Sequence, residues 1–137
     1  LCAHLTRWSS PEALESGAMG GAFFETWVIS EIYKSYLNAG KKPPLYFYRD
    51  SNKKEIDAIL YQDGVLTPIE IKKSAAPRDA VRNFSVLSAL EKEPSGEDVF
   101  SGAAHLKTAV GTGAALCMAS DLLPIDRKNW YIPAWLV

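Results

Sequence analysis

Two acids, with a lysine nearby, stand at positions where a pair of strands built only for stability would avoid facing carboxylates. Asp57 is embedded in the apolar run Ile56-Asp57-Ala58-Ile59-Leu60, and Glu70 lies between Ile69 and Ile71, with Lys72 following. Between the two runs comes Gln62-Asp63-Gly64-Val65, and Asp-Gly between apolar segments is a strong hairpin signal. With Asp63 and Gly64 as the central turn residues, Gln62 pairs with Val65, and the same register sets Asp57 opposite Glu70. Side chains paired in this way lie ~5 Å apart on one face of the sheet, where like charges repel. An unpaired acid on a central strand is also expensive to bury. The pair therefore calls for a protonated carboxyl or for a cation between the two. Hard oxygen ligands suit Mg2+, which takes one or two carboxylates and keeps several waters.

Strand alternation puts Glu70 and Lys72 on the same face and sends Ile71 into the opposite layer. The Lys72 ammonium then stands beside the acids, able to orient a water or to neutralise charge building on a phosphate. The same register sets Glu55 opposite Lys72, which offers a structural role as a cross-strand ion pair. A bulge at Gly64 would shift these pairings by one.

The elements that must hold these side chains can be placed from local signals. Ser10-Pro11-Glu12 is a helix start, with a cap, a proline at the first position and an acid in the first turn, and Gly17 ends it. The strongest helix runs from Ala22 to Asn38, with Phe24, Val28, Ile32 or Tyr33, Tyr36 and Leu37 at steps of three and four. Lys41-Lys42-Pro43-Pro44 stops it. Strands are expected at Leu45 to Arg49, Ile56 to Tyr61 and Val65 to Lys72. After Pro77 a second amphipathic helix is expected from Arg78 to Leu90, carrying Val81, Phe84, Leu87 and Leu90. Glu91 to Gly113 reads as loop with short elements, Ala114 to Ala119 as a buried strand, and Trp130 to Val137 as a strand or extended tail. This order makes an α/β domain with a mixed sheet flanked by helices.

Composition narrows the function classes. The 137 residues suit one domain, and 47% hydrophobic with 23% charged residues describe a folded chain. A formal charge of -1 excludes a module that coats nucleic acid by bulk charge, so a polyanion must be gripped locally. Arg78 and Arg82, one helical turn apart on the expected second helix, are the best placed for that, with Lys73 and Arg49 near the acids. Tyr46, Phe47 and Tyr48 read as packing, and the four tryptophans as core or lid residues. Cys2 and Cys117 form no CxxC pair, which fits a reducing, cytoplasmic setting. No apolar run reaches the ~20 residues of a membrane span. His4 and His105 have no partner at ligand spacing. The chain opens on Leu1-Cys2-Ala3, as expected of a fragment excised from a longer protein.

Asp57 followed by Glu70-Ile71-Lys72 resembles the bipartite motif of the PD-(D/E)XK nucleases, with Ile56 where the eponymous motif has proline. Gly21-Ala22-Phe23-Phe24-Glu25, Phe47-Tyr48-Arg49-Asp50, Glu55-Ile56-Asp57, Pro68 to Ser74 and Tyr131-Ile132-Pro133-Ala134-Trp135 extend the likeness. Together they resemble the C-terminal domain of bacterial and archaeal AAA+-type ATPases. The resemblance implies a restriction-endonuclease-like fold over 17–137. It also implies that 1–16 connect to an ATPase module of the parent chain, since no GxxxxGK[ST] occurs here. It makes Asp57, Glu70 and the Ile71 backbone carbonyl ligands of Mg2+ or Mn2+, with Glu25 binding directly or through water. Lys72 would position or activate the attacking water in phosphodiester hydrolysis of DNA. The alternative is a catalytically silent nuclease fold that binds nucleic acid or a protein and regulates the attached ATPase; self-association is left open.

Overall fold

The structure is a computed structural model that describes residues 2–90 and 108–137. Three helices lead: α1 (Cys2–Leu5), α2 (Pro11–Ser16) and α3 (Gly20–Asn38). The strands are β1 (Leu45–Arg49), β2 (Glu55–Gln62), β3 (Val65–Lys72), β4 (Ala109–Val110), β5 (Gly113–Cys117), β6 (Leu123–Pro124) and β7 (Asn129–Pro133). They form one 7-stranded sheet in the order β1-β2-β3-β5-β7-β6, with β4 on β3 beside the start of β5. Pairing is antiparallel from β1 to β3 and at β6/β7, and parallel at β3/β5 and β5/β7. The protein is therefore α/β with a mixed sheet. Of the expected loop from Glu91 to Gly113, residues 91–107 lie outside the described residues, as does His105.

Local rules account for several elements. Ser10 caps α2 by accepting the Ala13 N–H at 3.1 Å, with Pro11 at the first helical position. Asp63 and Gly64 both take left-handed φ values, 53° and 79°, the conformation that a two-residue turn matching the strand twist demands. The β2/β3 register runs from Gln62↔Val65 to Ala58↔Ile69, as the turn chemistry requires. Gly64 carries no bulge.

The core lies on both faces of the sheet. Val28 and Ile32 of α3 pack on Ala58, Ile69, Ile71, Ala114 and Leu116, with Phe24 and Tyr36 beside them. Of the alternatives in the helix pattern, Ile32 turns inward, while Tyr33 and Leu37 are about half exposed. On the other face Phe84 and Leu87 cover Ile56 and Ile59, with Val81 alongside.

The expected second α-helix is a 3-10 helix from Arg82 to Leu90, preceded by a turn that contains Arg78. The physical reason lies in the spacing. Val81, Phe84, Leu87 and Leu90 recur at strict threes, which align on one face only at three residues per turn. Arg78 and Arg82 thus share no helix face, which removes the geometric premise for pairing them.

Gly113 at the start of β5 is squeezed between this segment and β7. A Cβ there would collide with Asn129 Oδ1 and sit 2.6 Å from Phe84 Cε2. Gly113→Ala is expected to destabilise the fold by roughly 2 kcal/mol, the usual cost of overpacking. Urea unfolding followed by tryptophan emission measures it.

The sheet has one irregularity beside the acids. Tyr46 pairs with Ile59 and Tyr48 with Ile56, so the single residue Phe47 of β1 lies opposite Asp57 and Ala58 of β2. That is a β-bulge in β2 at Asp57. It also corrects the reading of the β1 aromatics as packing. Tyr48 does pack beneath the 3-10 helix, but Tyr46 is 59% and Phe47 77% exposed. Trp27 and Trp135 are likewise about half exposed.

Candidate functional site

The bulge and the end of the β2/β3 ladder coincide. The backbone register stops at Ala58↔Ile69, one position short of Asp57 and Glu70. There the Asp57 carboxylate takes over: its Oδ2 accepts the Ile71 N–H at 2.7 Å. A side chain thus replaces a backbone acceptor, and the two strands part where the acids begin.

Lys72 joins the acids. Its Nζ lies 2.6 Å from Glu70 Oε1 and 3.4 Å from Asp57 Oδ2. Ile71, between Glu70 and Lys72, packs in the α3 core as alternation requires. The expected Glu55–Lys72 pair does not form; Glu55 instead faces Arg49 across β1, at 3.6 Å. The cause is the bulge, which hands Glu55 to β1 and leaves Lys72 to the two buried acids.

Glu70 is 7% exposed, and its Oε2 is buried without a hydrogen-bond partner. Burial raises its pKa above the ordinary glutamate value; the Lys72 hydrogen bond opposes this and the Asp57 charge adds to it. Burial alone would lower the Lys72 pKa. The bond from Glu70 and the charges of Asp57 and Glu70 outweigh it, so Lys72 is held charged beyond the ordinary lysine range. Glu25, on α3, is raised by partial burial and then by Asp57, while Lys72 pulls it back. Its charge is therefore felt at the same place as the other three.

These pKa directions fix a stability prediction. A raised Glu70 pKa means that the folded chain binds the proton more tightly than the unfolded one. That contribution is complete below the ordinary glutamate pKa and is lost as pH rises through the folded value. At neutral pH the chain therefore carries the cost of a buried, half-satisfied carboxylate. Glu70→Gln should be more stable than wild type by on the order of 1 kcal/mol at pH 7.5, a few degrees in Tm. The difference should close as pH falls toward 4; thermal melts across that range check it.

A divalent cation fits this donor set. The orphaned Glu70 Oε2 needs a positive partner, and Asp57 engages only Oδ2 among the described residues. Two carboxylates of hard oxygen are what Mg2+ takes alongside waters. Among the described residues there is no group of three or more His, Cys, Asp or Glu side chains arranged as a ready cage. Glu25 is coupled to the site through the charges of Asp57 and Lys72.

The basic residues divide. Lys73 donates to the backbone carbonyl of Glu15, tying α2 to the end of β3. Arg49 pairs with Glu55, and both side chains are more than half exposed. Arg78 and Arg82 are both exposed, on the turn and at the start of the 3-10 helix. The feature that sequence reasoning passes over is the bulge in β2 at Asp57. Its signal is the run Ile56-Asp57-Ala58-Ile59, whose inward-facing Ile56 and Ile59 are incompatible with strict alternation and so announce a bulge.

The fold and site define a mixed-sheet α/β protein with a buried acid pair clamped by one lysine at a β-bulge. The chain belongs to the family described as "Domain of unknown function (DUF4143)", whose model matches residues 20–137. No curated protein and no solved structure matches the chain. Among the described residues no helix is long and apolar enough to cross a membrane.

Proposed function

We propose that this protein is a metal-dependent nuclease-like domain of restriction-endonuclease-like fold that hydrolyses DNA phosphodiester bonds. In this reading it is the C-terminal, cytoplasmic part of an AAA+-type ATPase. The carrying observation is the orphaned oxygen of Glu70 beside Asp57 and Lys72, a buried carboxylate oxygen in need of a cation. Asp57, Glu70 and the Ile71 carbonyl would hold Mg2+ or Mn2+, with Glu25 reaching it directly or through water. Such an ion polarises the phosphate and acidifies bound water.

The chain's own groups divide the remaining work. Lys72 stays protonated, so it serves as a donor to the phosphate oxygens and orients water; it does not take a proton. Glu25, partly open to solvent and of raised pKa, is the carboxylate suited to accept the proton of the attacking water.

The test is cleavage of plasmid, single-stranded and branched DNA with Mg2+ or Mn2+. Wild type is expected to cut and Asp57→Ala to be inert. Identical behaviour of the two across all DNA forms would overturn catalysis. The second reading, a silent module that binds DNA or a protein and regulates the ATPase, is favoured by one observation. Both acids already share Lys72, and no third acid completes a cage among the described residues. Binding of DNA by wild type and Asp57→Ala alike, without cutting by either, would select it.

A further inference from the structure

We propose that Lys72 is a displaceable stopper: its ammonium closes the Asp57–Glu70 pair to solvent and is released when a divalent ion binds there. The freed ammonium then meets the anionic substrate, so the site takes up the cation first and a phosphate second. This deepens the metal-dependent reading and rests on it for the identity of the cation.

Solvent reaches the cluster through the lysine. The side chains of Asp57 and Glu70 are 8% and 9% exposed, whereas Lys72, bonded to both, is 46% exposed. The second Glu70 oxygen, Oε2, is buried without a partner. Mg2+ sheds its waters reluctantly and keeps several of them in protein sites, so it needs an approach open to water. Of these three residues, Lys72 is the one that stands on that approach.

The bonds within the cluster differ in how easily they part. Asp57 Oδ2 accepts the Ile71 N–H at 2.7 Å and Lys72 Nζ at 3.4 Å. The first donor belongs to the backbone, and the second ends a flexible four-carbon stem at a long distance. Withdrawal of Lys72 therefore leaves Asp57 fixed by the Ile71 amide. The contact the ion must replace is the one from Lys72 Nζ to Glu70 Oε1, at 2.6 Å. A doubly charged ion attracts the same carboxylates more strongly than an ammonium at equal distance, and it repels the ammonium a few ångströms away. Lys73 does not take over as stopper, because it donates to the Glu15 carbonyl on α2.

A binding order follows. Without the ion Lys72 is engaged by the acids, and an incoming phosphate meets two carboxylates. With the ion in place the acids are neutralised, and Lys72 adds a donor for the phosphate oxygens.

The experiment reads Lys72 itself and uses no DNA. Lysine amines of the whole folded chain are acylated with a succinimidyl ester and followed residue by residue by mass spectrometry. Without divalent ions Lys72 should react about tenfold more slowly than the exposed Lys41, Lys42, Lys53 and Lys54. Saturating Mg2+ should bring its rate up to theirs and leave theirs unchanged. Glu70→Gln, which lacks the tighter partner, should react fast from the outset and not respond to the ion. In calorimetry Lys72→Met, which keeps an unbranched stem without the charge, should bind Mn2+ about tenfold more tightly than wild type. A melting temperature raised by Mg2+ with Lys72 still protected overturns the proposal alone, since the ion then shares the acids with the lysine. Mn2+ binding by Lys72→Met that is equal to or weaker than that of wild type also overturns it. No response to the ion in either melting or labelling overturns the proposal together with the metal site. Failure of wild type to cut DNA bears on the nuclease reading alone.

Discussion

Lys72→Ala should reduce DNA cleavage by about 10²- to 10³-fold, the loss that results from removing one donor aimed at developing charge. The variant has a second, separable effect. Among the described residues Lys72 is the cation paired with Asp57 and Glu70, whose side chains are only 8% and 9% exposed. Taking it away leaves two buried carboxylates repelling each other. Removing one partner of a fully buried pair costs about 3–5 kcal/mol, but Lys72 is itself 46% exposed, so water screens part of that. A loss of roughly 1–2 kcal/mol at pH 7.5 is expected, shrinking as pH falls and Glu70 takes up its proton. The double variant Lys72→Ala/Glu70→Gln should recover most of the melting temperature and none of the cleavage. That outcome would separate the structural share of Lys72 from its chemical one. Cleavage by Lys72→Ala within about threefold of wild type would remove Lys72 from the reaction.

The second large effect is a reversal of rank order on adding Mn2+. Without the ion Glu70→Gln should melt above wild type, because it lacks the buried carboxylate. An ion that binds only the folded state stabilises by about 2.7 kcal/mol at a hundredfold excess over its dissociation constant. For a domain of this size that is on the order of 10 °C in Tm. Wild type should gain it, and Asp57→Asn and Glu70→Gln should not, so wild type rises above the glutamine variant. The readout is thermal and needs no turnover. Equal shifts in all three proteins, or none, would show that the acids hold no cation. The same crossing would explain why a chain keeps a destabilising acid at a central strand: stability is given up where function needs charge.

Legibility in the sequence varies residue by residue. The β2/β3 hairpin is legible because Asp63-Gly64 adopts two left-handed conformations that few other residue pairs allow, and the register follows from the turn. The joint placement of Glu70 and Lys72 needs only strand alternation. The 3-10 helix passes for an α-helix although its apolar residues recur at threes, because a nine-residue run of that form is uncommon. The register offers Lys72 two partners, Glu55 and Glu70, and the chain alone does not choose between them. The choice is made by the bulge in β2, which sets Glu55 opposite Arg49 of β1.

From sequence alone come the α/β order, the hairpin, the core-facing stripe of α3 and the identity of the acids and the lysine. All of these depend on neighbours along the chain: backbone φ preferences, capping, and side-chain period. The tertiary structure decides that β2 bulges at Asp57, that the Asp57 carboxylate takes the Ile71 amide, and that one Glu70 oxygen is buried without a partner. It also decides that Phe47, on the edge strand, faces solvent. Those outcomes are set by how a third strand pairs across the sheet and by the desolvation it imposes, and neither is a property of any local stretch of chain.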